Sequence, residues 1–140
     1  MRAVLFALLL VLAPAAFAGT AVTVYKDPLC DCCGAYADYL RGHGFDVTVV
    51  ETEDMAAVHA RAGTPEGFEG CHMAMIEGYA VEGHVPVGAI EKLLDERPAI
   101  TGISLPGMPE GSPGMGGDKG EPFVVHGFGD GSSPRAYAIE

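Results

Sequence analysis

Basic residues are scarce in this sequence: eight Lys and Arg stand against 19 Asp and Glu, for a net charge of −11. So acidic a chain repels phosphate backbones, which argues against a nucleic-acid partner. A second long apolar run is also missing. Beyond the N-terminal segment no stretch approaches the ~20 apolar residues that a membrane-spanning helix needs. Although glycines are abundant, they build no phosphate loop or dinucleotide fingerprint. The carboxylates form no paired arrangement of the kind that general acid–base catalysis uses, and no internal repeat occurs.

What is present begins with an export signature. Arg2 supplies a positive start, Ala3 to Ala13 (AVLFALLLVLA) is an apolar run, and Ala16-Phe17-Ala18 matches the small-x-small pattern of a signal-peptidase site. The expected protein is periplasmic, with residues 1–18 a signal peptide cleaved after Ala18 and residues 19–140 a single domain. Cleavage removes Arg2 and takes the net charge to −12. It also leaves no segment expected to contact a membrane. The remaining 122 residues are enough to bury one modest core.

Ala21 to Lys26 (AVTVYK) reads as a first strand, ended by Asp27-Pro28. Cys33 to Arg41 reads as a helix, Phe45 to Val50 as a second strand, and Asp54 to Ala62 as a second helix stopped by Gly63. Ala74 to Glu77 and Tyr79 to Glu82 flank Gly78 as a hairpin, and Pro86 opens a third helix that ends before Pro98. The order βαβα-ββα predicts an α/β, three-layer, thioredoxin-like domain with a mixed sheet. Gly102 to Gly120, dense in Gly and Pro, is expected to be a long loop; loops of that length are commonly functional. Phe123 to Phe128 and Arg135 to Ile139 are expected to form a C-terminal strand pair.

Four cysteines carry the chemistry. Cys30, Cys32 and Cys33 crowd into four residues where the first strand hands over to a helix. Unpaired backbone N–H groups and the positive end of the helix dipole stabilise thiolates there. An even count in an oxidising compartment admits structural disulfides. The spacing speaks against them, because bridges among the first three close very small loops and add little stability. Cys30 and Cys33 also fit the C-x-x-C of a thiol–disulfide exchanger, but Cys32 intrudes between them.

A metal site is the third reading. Thiolates choose copper(I), zinc or iron–sulfur clusters. Zinc sites usually show two separated ligand pairs, whereas three crowded thiols plus the remote Cys71 suit sulfurs that bridge several ions. Met108 and Met115, both in Pro-Gly-Met contexts within the expected loop, favour copper(I) over zinc, since thioethers are soft donors. His72 adjoins Cys71 and is a candidate ligand or supporting donor. His84 fits either a site role or a cap on the third helix. His43, His59 and His126 read as surface or structural residues.

The segment Tyr25-Lys26-Asp27-Pro28-Leu29-Cys30-Asp31-Cys32-Cys33-Gly34 resembles the CopG-type periplasmic copper-resistance proteins. The likeness continues through Cys71-His72, Glu82-Gly83-His84-Val85-Pro86, Leu105-Pro106-Gly107-Met108-Pro109 and Gly111-Ser112-Pro113-Gly114-Met115. Met73 departs from the pattern, where a small hydroxyl residue is expected. The resemblance implies a thioredoxin-like fold, a cargo of copper(I), and copper ions and other envelope copper-handling proteins as partners. It makes Cys30, Cys32, Cys33 and Cys71 the cluster thiols, with His72, Met108 and Met115 in support. It also implies a copper oxidoreductase activity interconverting copper(I) and copper(II).

Overall fold

The computed structural model describes residues 19–140, so the expected signal peptide lies outside the described residues. The elements run β1 (Ala21–Lys26), α1 (Asp31–Gly42), β2 (Asp46–Glu51), α2 (Met55–Ala62), β3 (His72–Ile76), β4 (Tyr79–Gly83), α3 (Val87–Glu96), β5 (Gly102–Leu105), β6 (Val124–Phe128) and β7 (Arg135–Ile139). The strands form one mixed sheet in the order β2-β1-β3-β4-β5-β6-β7. β1 is parallel to β2 and β4 to β5, and the other neighbours are antiparallel.

Strand alternation sorts side chains into two cores. Val22, Val24, Ala74, Ile76, Val81 and Ile103 meet Tyr36, Ala37 and Leu40 of α1 and Ile90 and Leu93 of α3. Met73 and Ala80, on the opposite sheet face, meet Val58 and Ala62 of α2. Two helices therefore cover one face and one helix covers the other. Met73 is buried in that second core, with its side chain across the sheet from that of His72. At this position the departure from the family pattern fills space.

Local chemistry sets the helix ends. Asp54 caps α2 by accepting from the Ala57 N–H at 3.0 Å, and Gly63 closes it in the left-handed conformation. Asp31 and Arg41 sit in the first and last turns of α1, each on the side the helix dipole favours. Pro86 is the N-cap of α3.

The expected loop is shorter than its composition implies. Gly102 to Leu105 is a fully buried strand pairing with β4 and β6. Four residues flanked by glycine and proline are too few for a visible period. Gly102 is required there, because a Cβ would lie 2.1 Å from the Ala80 carbonyl oxygen and 2.9 Å from the Phe128 ring. The irregular segment thus begins at Pro106 and runs to the final strand pair.

Candidate metal centre

Asp27 folds the approach to the cysteines. Its carboxylate accepts from the Leu29 N–H at 2.8 Å and its carbonyl from the Cys30 N–H at 3.1 Å, a turn that delivers Cys30 to the N-cap of α1. Cys32 and Cys33 follow within the first turn. Cys33 is fully buried, while Cys30, Cys32 and Cys71 are half-buried. The four sulfurs all lie within 4.8 Å of one another.

Cys30 and Cys33 are joined as a disulfide, and Cys32 and Cys71 are free. The bridge joins the pair that the C-x-x-C spacing singles out, and it corrects the expectation that small loop size speaks against a bridge among the first three cysteines. Residues three apart at a helix start share a face, and here their Cα atoms are 5.5 Å apart, within ordinary disulfide reach. The free sulfurs stay close. Cys32 is 3.4 Å from the Cys30 sulfur, and Cys71 is 3.5 Å from Cys33 and 4.0 Å from Cys32.

Cys71 reaches this cluster from the far end of α2. The chain at Gly70 crosses Gly83 so closely that a Cβ would fall 2.3 Å from the Gly83 nitrogen. Burial, reinforced by Cys32, pushes the Cys71 thiol up to about 12. Without a cation it is neutral at ordinary pH. A metal ion taking the proton's place would offset the cost of the buried negative charge.

Two imidazoles complete the group. Nδ1 of His84 donates to the Pro113 carbonyl at 2.7 Å, which leaves Nε2 bare and 3.4 Å from the Cys71 sulfur. His72 is fully buried between Tyr36 and His84, at ring separations of 4.4 and 4.7 Å. Its Nδ1 is 3.4 Å from the Cys71 sulfur, and its Nε2 is buried with no hydrogen-bond partner among the described residues. Cys71, His72 and His84 form a second set of donors that shares Cys71 with the first. Four sulfurs and two neutral imidazoles suit a soft or borderline cation.

The sequence-derived candidates Cys30, Cys32, Cys33, Cys71 and His72 are thus gathered in one place. His84 belongs with them. The capping alternative fails for it, because the N-cap of α3 is Pro86 and makes no side-chain cap bond. The segment after Pro106 closes over the site: Pro113 holds His84, and Gly114 lies against the Tyr36 backbone, where a Cβ would sit 2.8 Å from the Tyr36 nitrogen. Met115 follows directly, its N–H bonded to the Ser112 carbonyl at 2.9 Å. Met108 is 45% exposed and takes a positive φ of 46°. His59 and His126 are structural: the first is bonded to buried Glu82, and the second packs edge-on against Phe68. His43 is exposed at the C-cap of α1.

Burial, with His84 adding to it, pushes the His72 imidazole down to about 3. In the metal-free protein the unfolded chain binds a proton there near pH 6.5, and the folded protein does not until about pH 3. Stability from this group therefore rises with pH across that window and is lost as pH falls, by on the order of 3 kcal/mol at about pH 4. We expect urea midpoints of the metal-free protein to drop between about pH 7 and pH 4, and His72→Phe to remove most of that slope. An equal slope in both proteins would contradict the burial argument.

Two of three comparisons with known proteins place the chain. Residues 68–115 match the family described as a protein of unknown function, DUF411. The comparison with curated proteins returned no match. Two solved structures, forms 1 and 2 of a protein named copper resistance protein CopG, superpose with TM-scores of 0.79 and 0.80. Each is 39% identical, and each alignment covers 87% of this chain and 98% of that one. With its Cys-x-Cys-Cys turn, its remote Cys71 and this likeness over most of its length, the chain belongs to the CopG family of copper resistance proteins.

Proposed function

We propose that the protein is an envelope copper-handling protein that holds copper(I) as cargo, in a thiolate-bridged cluster on Cys30, Cys32, Cys33 and Cys71. The observation that carries this reading is the convergence of four sulfurs within 4.8 Å. Once the Cys30–Cys33 bridge is reduced, four thiolates this close would repel one another strongly unless cations stood between them. Copper(I) is a soft cation that sulfur can bridge, so it answers both the charge and the ligand type. His84 offers its bare Nε2 at the edge of the cluster, and His72, Met108 and Met115 remain the supporting candidates.

The same site supports a change of copper charge. Closing the Cys30–Cys33 dithiol to a disulfide releases two electrons and two protons, which balances the reduction of two copper(II) ions to copper(I). In the reverse direction, two copper(I) ions give up the electrons that reopen the bridge. The thioredoxin-like reading of the fold is supported by the run β1-α1-β2 with parallel strands, then α2 and an antiparallel β3-β4 pair, and by cysteines at the start of α1. The closed Cys30–Cys33 pair beside Leu29, 91% exposed, also favours a second reading, thiol–disulfide exchange on a protein partner. Insulin reduction by copper-free protein, unaffected by loss of Met108 and Met115, would favour that alternative.

The reduced protein, loaded anaerobically with copper(I), is expected to retain it against a competing chelator. Cys71→Ser should weaken retention by about tenfold or more while leaving the fold intact. Wild-type protein that yields its copper as readily as a variant lacking all four cysteines would overturn the reading. Export is proposed from the N-terminal segment. Sequencing of protein recovered from the envelope should begin at Gly19, and an intact Met1 would contradict it.

A further inference from the structure

Glu82 is fully buried on the α2 face of the sheet, where its neighbours Met73, Ala80 and Val58 are apolar. An isolated carboxylate is costly in such a place, so its partners matter. One oxygen accepts from the Thr64 hydroxyl at 2.5 Å and from the Nδ1–H of His59 at 3.0 Å. The other accepts from the Gly70 N–H at 3.0 Å. These partners are not scattered. Thr64 opens the irregular connection between α2 and β3, Gly70 ends it, and His59 lies on α2 just before it. A single carboxylate therefore grips both ends of the segment that delivers Cys71.

The grip has a direction. Gly70 immediately precedes Cys71, and Gly83, which it touches, lies between Glu82 and His84. Holding Gly70 at β4 fixes the Cys71 sulfur 3.4 Å from His84 Nε2 and 3.5 Å from the Cys33 sulfur. The Ser104 hydroxyl adds a second tie by donating to the Phe68 carbonyl at 2.6 Å. We propose that Glu82 is a positioning residue for the metal centre: its carboxylate, bound to Thr64, His59 and Gly70, holds the Cys71 sulfur against the other three cysteines. This deepens the copper reading and rests on it for the metal. The placement of Cys71 can be tested without metal.

In Glu82→Gln one of the two oxygens becomes an NH2 group, so either Gly70 or the Thr64 and His59 pair loses its acceptor. Two readouts apply to the reduced protein: the alkylation rate of Cys71 without metal, followed by mass spectrometry, and copper(I) retention against a chelator. The expected result is a Cys71 rate raised about tenfold relative to Cys32, with copper(I) affinity lowered about tenfold or more. A variant that melts at lower temperature but keeps both values would reduce Glu82 to a structural residue and overturn the proposal. Equal acceleration at Cys32 and Cys71, a general loosening, would overturn it too. Should Glu82→Gln fail to fold, Thr64→Val takes its place. A smaller shift of both readouts in the same direction would support the proposal, and no shift would overturn it. Wild-type protein that binds no copper(I) would end the copper reading and leave the Cys71 rate to decide this one.

Discussion

Everything at the metal centre depends on the backbone of Gly70 lying against that of Gly83. No side chain fits between them, and no larger residue at position 70 would let the two segments approach this closely. That contact converts sequence distance into chemistry. Cys30, Cys32 and Cys33 are neighbours through the local geometry of a turn and a helix start, whereas Cys71 arrives from 38 residues beyond Cys33. Once Gly70 is seated, Cys71 and His84 face each other from just beyond the paired ends of β3 and β4, and the segment carrying Pro113 closes over the histidine. The sheet supplies the rigid base, since β1, β3 and β4 are central strands with partners on both sides.

The electrostatics of the site follow from its burial. The sulfurs crowd together, and the Cys71 thiol resists ionisation because burial strips away part of the water that would solvate its charge and Cys32 stands nearby. His72 resists protonation for the corresponding reason. His84, also lowered by burial, keeps its proton on the nitrogen that faces Pro113. In the metal-free state the pocket is therefore held largely neutral, with several lone pairs turned inward. A cation that prefers sulfur and imidazole replaces protons there instead of adding charge to a charged site.

Much of this was legible in the sequence where the signal is local. The period of Tyr36, Ala37 and Leu40 marks α1, Asp54 and Gly63 bracket α2, and the apolar spacing of Ile90, Leu93 and Leu94 marks α3. The three crowded cysteines announce themselves by spacing alone. Loop-closure arguments weigh entropy and so speak against a bridge among the first three cysteines, while helix-start geometry already sets Cys30 and Cys33 at bridging distance. β5 was hidden in a glycine- and proline-rich stretch because two of its four residues, Gly102 and Ser104, carry no strand signal. The sequence leaves His84 open between a site role and a helix cap, because the partner that settles it lies 29 residues later. Glu82 stands in the Glu82-Gly83-His84-Val85-Pro86 segment of the family pattern, but its residue type gives no sign of its role: a glutamate at a strand end is ordinarily solvated, and only the fold buries it among three partners.

The central claim is that the four cysteine sulfurs form one copper(I) site. An anomalous-scattering structure of the reduced, copper-loaded protein tests it most directly. The expected density places copper in contact with the sulfurs of Cys30, Cys32, Cys33 and Cys71, with His84 Nε2 at its edge. Copper found only among surface carboxylates, with the cysteine sulfurs free of metal, would contradict the account.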